Sequence, residues 1–272
     1  MSCIALHDAP YADSNFDQAA GLRRLFAASR ARFVPLVSNP HVAFGGVLIE
    51  RFVAALGELS AHVLVVDAAE GSPEPLEIAR VELAAAVEPL APHASYLAAR
   101  GLPRRHVDAS GSCAAFLHAL VEAAPQADVV LLHAGASDLA RVFGHRAVRP
   151  VVLAADRPTA VTHAYAGIKW LAQRAGILTH DLLLAAAEHS PRAGRIVQQL
   201  ASCADLYLGA AQRDFAIVDP AHADAAPSPA LRRLARDALV TADPGVPEPL
   251  WHAATSAHTP APAAPERAAA FN

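Results

Sequence analysis

The chain is poor in lysine, cysteine and charged residues. Lys169 is the single lysine among 22 lysine and arginine residues. Only 18% of the residues are charged, against roughly 25% in an average domain. The net charge of −4 excludes a dominant nucleic-acid-binding surface, which needs clustered positive charge. Cys3, Cys113 and Cys203 are odd in number and far apart, so the sequence predicts neither a disulfide framework nor a zinc site.

Long apolar runs are also missing. Runs such as residues 182–187 are far shorter than the ~18 residues of a membrane-spanning helix. The first residues lack the basic stretch and long apolar core of a secretion signal. We therefore expect a cytoplasmic protein. A length of 272 residues with 54% hydrophobic content is ample for one α/β domain with a sizeable core.

Apolar periodicity divides most of the chain into alternating strands and helices. The sequence predicts strands at residues 32–38, 61–67, 127–133, 149–155, 181–187, 205–209 and 215–218. It predicts helices at residues 17–26, 46–59, 76–87, 160–175, 190–204 and 229–240. Such alternation is typical of an α/β fold with a doubly wound, mainly parallel sheet.

Three regions follow from this pattern. Residues 1–30 are predicted to be a flexible arm that carries a short helix, 31–240 the α/β domain, and 241–272 a disordered tail rich in alanine and proline. Ligands of such sheets bind at the carboxyl ends of the strands. The loops to inspect are therefore 38–46, 67–75, 133–138 and 155–161.

The loop after the first strand does not have the composition of a working phosphate-binding loop. Such a loop needs glycines, a lysine for the phosphates and a serine or threonine for magnesium. Residues 38–46 contain Gly45 and Gly46 but no lysine, arginine or threonine. No GxGxxG or GxSxG pattern occurs in the chain, which argues against a nicotinamide-dependent enzyme and a serine hydrolase of the nucleophile-elbow type.

Three segments nevertheless carry a family resemblance. Residues 17–23, DQAAGLR, resemble a DQAxxLR signature, and residues 38–56 align without gaps to SGKGGVGKTTVAANLAAAL. Residues 158–169, PTAVTHAYAGIK, are similar to PTAITDAYALIK. On these segments the chain resembles the FlhG branch of the MinD/ParA family of deviant P-loop ATPases. Members of that branch set flagellar number and placement in bacteria.

The departures from that pattern remove most of its charged residues. The signature lysine falls on Pro40, the Walker lysine on Gly45 and the magnesium-binding threonine on Gly46. His133 stands where the family has a strand-end aspartate, and Asp67 is retained. Ala69 stands in place of a second aspartate, and His163 stands where the family's PTAITDAYALIK segment has an aspartate. Because phosphoryl transfer depends on positioning and charge neutralisation, we predict a pseudo-ATPase with no catalytic residues, no resident metal and no ATP or magnesium cofactor. The predicted degenerate nucleotide site consists of Ser38, Asn39, Pro40, Gly45, Gly46, Asp67 and His133.

The resemblance also implies a partner. In the family the arm acts on the flagellar GTPase FlhF, so Asp17, Gln18, Leu22 and Arg23 are the predicted partner-binding residues. Gln18 is the residue best suited to orient a water molecule or a switch loop. Other flagellar components are further partners that the resemblance implies, with a place at the cell pole or the membrane periphery. We expect no nucleic-acid binding and only weak or indirect membrane contact.

Several alternatives stay open on the sequence. The chain could be an active, ATP-switched ATPase with a non-standard site, or an interaction scaffold of another polar or envelope system. The helix at residues 17–26 could simply pack on the domain. His133 and His163 could bind a metal, although hydrogen-bonded neutral histidines are commoner. The apolar stripe of residues 231–239 could be a membrane anchor, although the last helix of the fold is the preferred interpretation.

Overall fold

The computed structural model describes residues 31–144, 146–187, 189–222 and 226–241. The strands are β1 (Arg32–Val37), β2 (Val63–Asp67), β3 (Glu88–Ala91), β4 (Ala94–Ala98), β5 (Val129–Ala134), β6 (Val151–Ala155), β7 (Thr179–Ala185) and β8 (Ala211–Val218). The α-helices are α1 (Gly45–Gly57), α2 (Ala115–Ala123), α3 (Ala136–Phe143), α4 (Pro158–Ala175), α5 (Ala193–Leu208) and α6 (Pro229–Thr241). The predicted arm of residues 1–30, with its helix, lies outside the described residues, and so does the predicted tail from residue 242 onward.

The strands form one sheet in the order β3-β4-β2-β5-β1-β6-β7-β8. Every pair is parallel except β3 with β4, which is antiparallel at the edge. The central strand β1 pairs with β5 on one side and β6 on the other. Both of its faces are covered, and its residues 33–37 are all buried. The predicted doubly wound, mainly parallel sheet is confirmed.

Two hydrophobic clusters lie on opposite faces of the sheet. Helices α2, α3, α4 and α5 pack mainly in the cluster that contains Phe33, and α1 and α6 pack in the cluster that contains Leu36. Phe33 and Leu36 are both fully buried. Helices on both faces fix the strand order, and they bring the carboxyl ends of β2, β5 and β1 side by side.

The apolar stripe on α6 belongs to the core. Leu231, Leu234, Ala235 and Ala238 are buried against the sheet and α1. The Arg232 guanidinium donates two hydrogen bonds to the Glu58 carboxylate, at 2.6 and 3.0 Å, which ties α6 to the end of α1. The last-helix interpretation is therefore confirmed. No helix in the described ranges is both long enough and apolar enough to span a bilayer.

Two predicted elements are wrong. The helix predicted at 76–87 is instead two short 3₁₀ helices, Glu77–Arg80 and Ala84–Ala86. Its apolar period rests partly on Ile78 and Val81, which are exposed, so no buried face stabilises a longer helix. The strand predicted at 205–209 is the end of α5, which continues to a left-handed Gly209.

Four elements have no counterpart in the prediction. Strands β3 and β4 lie on either side of Pro92, and β3 itself contains Pro89, a residue that sequence reasoning takes as a strand breaker. Proline is tolerated there because β3 is an edge strand. Helices α2 and α3 are short, at nine and eight residues, so their apolar period is weak.

Candidate functional site

The candidate site is a cavity of about 560 Å³ at the carboxyl end of the sheet. All seven residues of the predicted degenerate site line it: Ser38, Asn39, Pro40, Gly45, Gly46, Asp67 and His133. The cavity lies where the ends of β1, β2 and β5 meet the starts of α1 and α3. The structure therefore brings together side chains that lie up to 95 positions apart in the sequence. The capacity of this cavity to bind a nucleotide depends on the chemistry of these residues.

Asn39 fastens the loop after β1 to the neighbouring strand and helix. Its side-chain amide donates hydrogen bonds to the carbonyl oxygens of Leu153 and Ala160, each at 2.9 Å. Its Oδ1 accepts a bond from the backbone N–H of His41 at 3.1 Å. Asn39 is only 7% exposed, so all three bonds are shielded from water. The Asn39 side chain thus fixes the position of the loop, and both of its amide hydrogen bonds are already used within the protein.

Three backbone amides of this loop are used within the loop. The His41 N–H is bonded to Asn39, the Val42 N–H to the Asn39 carbonyl at 3.1 Å, and the Gly45 N–H to the Val42 carbonyl at 3.3 Å. Pro40 has no N–H at all. A phosphate-binding loop works by aiming several free N–H groups at the anion. In this loop three amides are already bonded inside the loop, and Pro40 offers none.

The two glycines at the start of α1 sit in open space. A Cβ atom built on Gly45 or Gly46 would meet no other heavy atom within 4 Å. Packing around the Cβ position therefore does not require glycine at either residue.

Asp67 and His133 form the polar centre of the site. They lie at the ends of neighbouring parallel strands, in register with each other, and His133 Nδ1 is 2.7 Å from Asp67 Oδ1. The hydroxyl groups of Ser72 and Tyr96 also donate to the Asp67 carboxylate, the latter at 3.3 Å. Asp67 is therefore a strand-end residue that holds the following loop through Ser72. His133 joins the ends of β2 and β5 through its contact with Asp67.

These contacts set the ionisation of the group. Burial raises the pKa of the Asp67 carboxyl, but the hydrogen bonds from His133 and Ser72 outweigh it and hold that pKa below its usual value. Burial and the adjacent Asp67 carboxylate raise the pKa of Tyr96 to about 12. Asp67 is therefore a carboxylate at neutral pH, and Tyr96 is a neutral hydrogen-bond donor to it.

His163 lines the opposite wall of the cavity, on α4. Its ring lies edge-on to that of His41, with centroids 5.5 Å apart. Burial lowers the pKa of His163, and the nearby His41 adds to the effect. Its Nδ1 is buried with no hydrogen-bond partner in the described part of the chain. Within the same ranges, no three histidine, cysteine, aspartate or glutamate side chains are grouped so that they could hold a metal ion.

Sequence reasoning did not single out Ser72, Tyr96 and Trp170. Tyr96 lies on the unpredicted β4, and Ser72 lies in the loop after β2, which had been marked for inspection. Trp170 lines the cavity from α4 and is 45% exposed. The folded structure brings these three residues to the site, and no local sequence pattern indicates it. The predicted partner-binding residues Asp17, Gln18, Leu22 and Arg23 lie outside the described residues.

Comparisons with known proteins identify the fold of the chain. No family model matches the chain, and no curated protein matches its sequence. Among solved structures, it is similar to MinD in a MinC:MinD cell division complex from Aquifex aeolicus, with 12% identity and a TM-score of 0.53 over 76% of this chain and 94% of that one. It is similar to cobyrinic acid a,c-diamide synthase from Mycobacterium smegmatis, with 19% identity and a TM-score of 0.53 over 77% and 94%. It is also similar to apo McdA from Cyanthece, with 16% identity and a TM-score of 0.52 over 77% and 99%.

These similarities define the fold of the chain. It has the α/β fold of the MinD/ParA-type P-loop ATPases, and residues of the loop after β1 line its cavity. Identities below 20% carry no activity, substrate or partner across to this chain. Function must be argued from the residues of the site.

Proposed function

We propose that this protein is a pseudo-ATPase of the MinD/ParA fold that regulates flagellar number or placement by acting on an FlhF-like GTPase. The observation that supports the loss of ATPase activity is the loop after β1, which presents no lysine or arginine side chain to the cavity and bonds three of its amides internally. Phosphoryl transfer depends on positioning and charge neutralisation. This loop provides no cationic side chain to neutralise the γ-phosphate.

The Asp67–His133 pair supports the same proposal. A magnesium ion in such a site needs carboxylate oxygens that are free to face it. Asp67 instead accepts hydrogen bonds from His133, Ser72 and Tyr96. Two of these donors are on Oδ1 and one is on Oδ2, so most of the lone-pair sites of the carboxylate are already used.

The partner is proposed from the sequence. Residues 17–23, DQAAGLR, resemble the family's signature before the P-loop, and in that family the arm acts on FlhF. Gln18 would orient water or a switch loop of the GTPase, and Arg23 would neutralise charge or fix the arm. The MinD neighbour appears in a complex with MinC, which is a precedent for regulation through a protein partner on this fold.

The first experiment is a calorimetric titration of the full chain with ATP, with and without magnesium chloride. We expect no saturable binding in the micromolar range under either condition. Tight, magnesium-dependent binding would overturn the pseudo-ATPase proposal and favour the ATP-switched alternative.

The second experiment measures GTP turnover by FlhF with and without the full chain, each in the presence and absence of ATP. We expect stimulation that is indifferent to ATP and that is lost in Gln18→Ala and in Arg23→Ala. A matched control is Arg24→Ala, the next position along the arm, which should stimulate like the wild type. Absence of stimulation by the wild type would remove the flagellar assignment and leave the nucleotide result standing.

A further inference from the structure

The contact between Asp67 and His133 determines which ring nitrogen of the histidine faces the carboxylate. The low pKa of Asp67 keeps it a carboxylate, which can only accept hydrogen bonds. At 2.7 Å from it, His133 Nδ1 must therefore be the donor. With Nδ1–H directed at the carboxylate, Nε2 is the ring nitrogen that accepts a proton when the imidazole acts as a base.

The carboxylate is itself held in place. Ser72 Oγ–H donates to Oδ1 and Tyr96 O–H donates to Oδ2 of Asp67. The side chains of Asp67 and His133 are only 17% and 12% exposed. The imidazole is therefore positioned by a carboxylate whose own orientation is determined, which is the arrangement that makes a histidine an effective general base.

The cavity around His133 suits an uncharged ligand. Its lining includes no lysine or arginine, and Val42, Ile49, Leu153 and Trp170 contribute apolar walls. A volume of about 560 Å³ is in the range of small-molecule sites. Polyanions find no counter-charge here, whereas a small apolar molecule with one polar bond fits the lining.

Hydrogen-bond donors for a carbonyl oxygen line the same cavity as the imidazole. His133 is separated from α3 by only Ala134 and Gly135, and Ala136 and Ser137 in the first turn of α3 line the cavity. First-turn N–H groups have no partner within their own helix. On the other wall, His163 Nδ1 also has no partner among the described residues. The cavity thus combines a general base with donors for an oxyanion.

We propose that this cavity hydrolyses small, uncharged carboxylic esters, with His133 as the general base. A water oxygen attacks the ester carbonyl carbon while His133 Nε2 takes a proton from that water. The carbonyl oxygen becomes an oxyanion near the first turn of α3. The intermediate then collapses, the bond between the carbonyl carbon and the alcohol oxygen breaks, and the proton on Nε2 passes to the departing alkoxide. The products are a carboxylic acid and an alcohol.

The test uses the full chain and p-nitrophenyl acetate, with turnover followed over more than about ten equivalents of substrate to exclude mere acylation of the protein. The single lysine keeps the background from amines small. We expect His133→Gln to lower kcat/KM about a hundredfold, as for loss of a general base, and Asp67→Asn to lower it at least about tenfold through the wrong tautomer. The matched control, His118→Gln on the exposed face of α2, should stay within about twofold of the wild type. A His133→Gln variant as active as that control would overturn the proposal.

A second measurement covers the case in which His133→Gln does not fold, as judged by circular dichroism. Diethyl pyrocarbonate acylates neutral imidazoles, and mass spectrometry of peptides locates the acylated histidines. Loss of esterase activity should follow acylation of the peptide that contains His133. Loss of activity that follows acylation of a histidine outside the cavity, with His133 unmodified, would overturn the proposal. Ester hydrolysis needs neither ATP nor the GTPase, so this result is independent of the outcome for the proposed function.

Discussion

His180 and Asp181 are neighbours in β7 whose side chains are buried on opposite faces of the sheet, and burial moves their pKa values in opposite directions. Burial lowers the pKa of His180 to about 4. Burial raises the pKa of Asp181 to about 6, although Arg149 Nε, 2.8 Å away, opposes the shift. Both imidazole nitrogens of His180 lack hydrogen-bond partners in the described ranges. One strand therefore holds two groups that destabilise the fold in their charged forms.

The first prediction concerns acid stability. The unfolded chain protonates His180 near its ordinary pKa of 6.5, whereas the folded chain does so only near 4. Stability is therefore lost as pH falls between these values. This residue alone should cost about 2 kcal/mol between about pH 8 and about pH 5. Asp181 acts in the opposite sense, because a raised pKa lets the folded state gain protons first as pH falls through about 6.

Comparison of the wild type with His180→Leu isolates the histidine, since Asp181 is common to both. Urea unfolding should show the variant more stable by about 1 kcal/mol at the higher pH, because two unpaired buried nitrogens are removed. Its advantage should grow by about 2 kcal/mol at the lower pH. An advantage that stays constant across this range would show that His180 does not titrate as its burial implies.

The second prediction concerns Asn39. Asn39→Ala removes the two buried bonds to the carbonyls of Leu153 and Ala160 and should lower the free energy of unfolding by about 2 kcal/mol. Asn39→Asp is nearly isosteric but puts carboxylate oxygens against those same carbonyls. It should therefore destabilise more than alanine at neutral pH. Urea unfolding of the three proteins checks this order, and an aspartate variant as stable as the alanine variant would contradict the bonding scheme.

The sequence predicts the parts of this molecule that depend on long apolar periods. Strand β5 and helix α4 are marked by runs or stripes that tertiary packing simply completes. Elements such as β3, with Pro89 in an edge strand, depend on where the sheet ends. That position is a property of the whole fold, which no local pattern records.

The site divides in the same way. The rule that ligands bind at the carboxyl ends of strands indicates the loops of the site, and the family resemblance indicates seven residues in them. The structure places all seven in one cavity. The contacts of Asp67 with Ser72 and Tyr96 join different loops and strands. They could not be predicted, because Tyr96 lies on a strand that the pattern did not reveal.

The third prediction tests the place of α6. Leu234 is fully buried in the cluster on that face of the sheet, so Leu234→Ala should lower the free energy of unfolding by about 2–5 kcal/mol. Val240 on the same helix is 74% exposed, and Val240→Ala should change stability by less than about 0.5 kcal/mol. Thermal and urea unfolding of both variants provide the measurement. Equal, small effects would mean that α6 does not belong to the core in solution.

The fourth prediction asks whether the ATPase can be rebuilt. Gly45→Lys with Gly46→Thr should fold normally, because neither Cβ meets another atom within 4 Å. It should not hydrolyse ATP. Pro40 still has no backbone N–H, and Ala69 still stands where an acidic residue is needed. His133 also remains hydrogen-bonded to Asp67. Phosphate release is measured with magnesium present, and circular dichroism confirms the fold. The single variant Gly46→Thr, which adds a hydroxyl without a cation, is the matched control. ATP turnover in the double variant would show that these two side chains suffice for activity. The internal hydrogen bonds of the loop and the Asp67–His133 contact would then not block phosphoryl transfer.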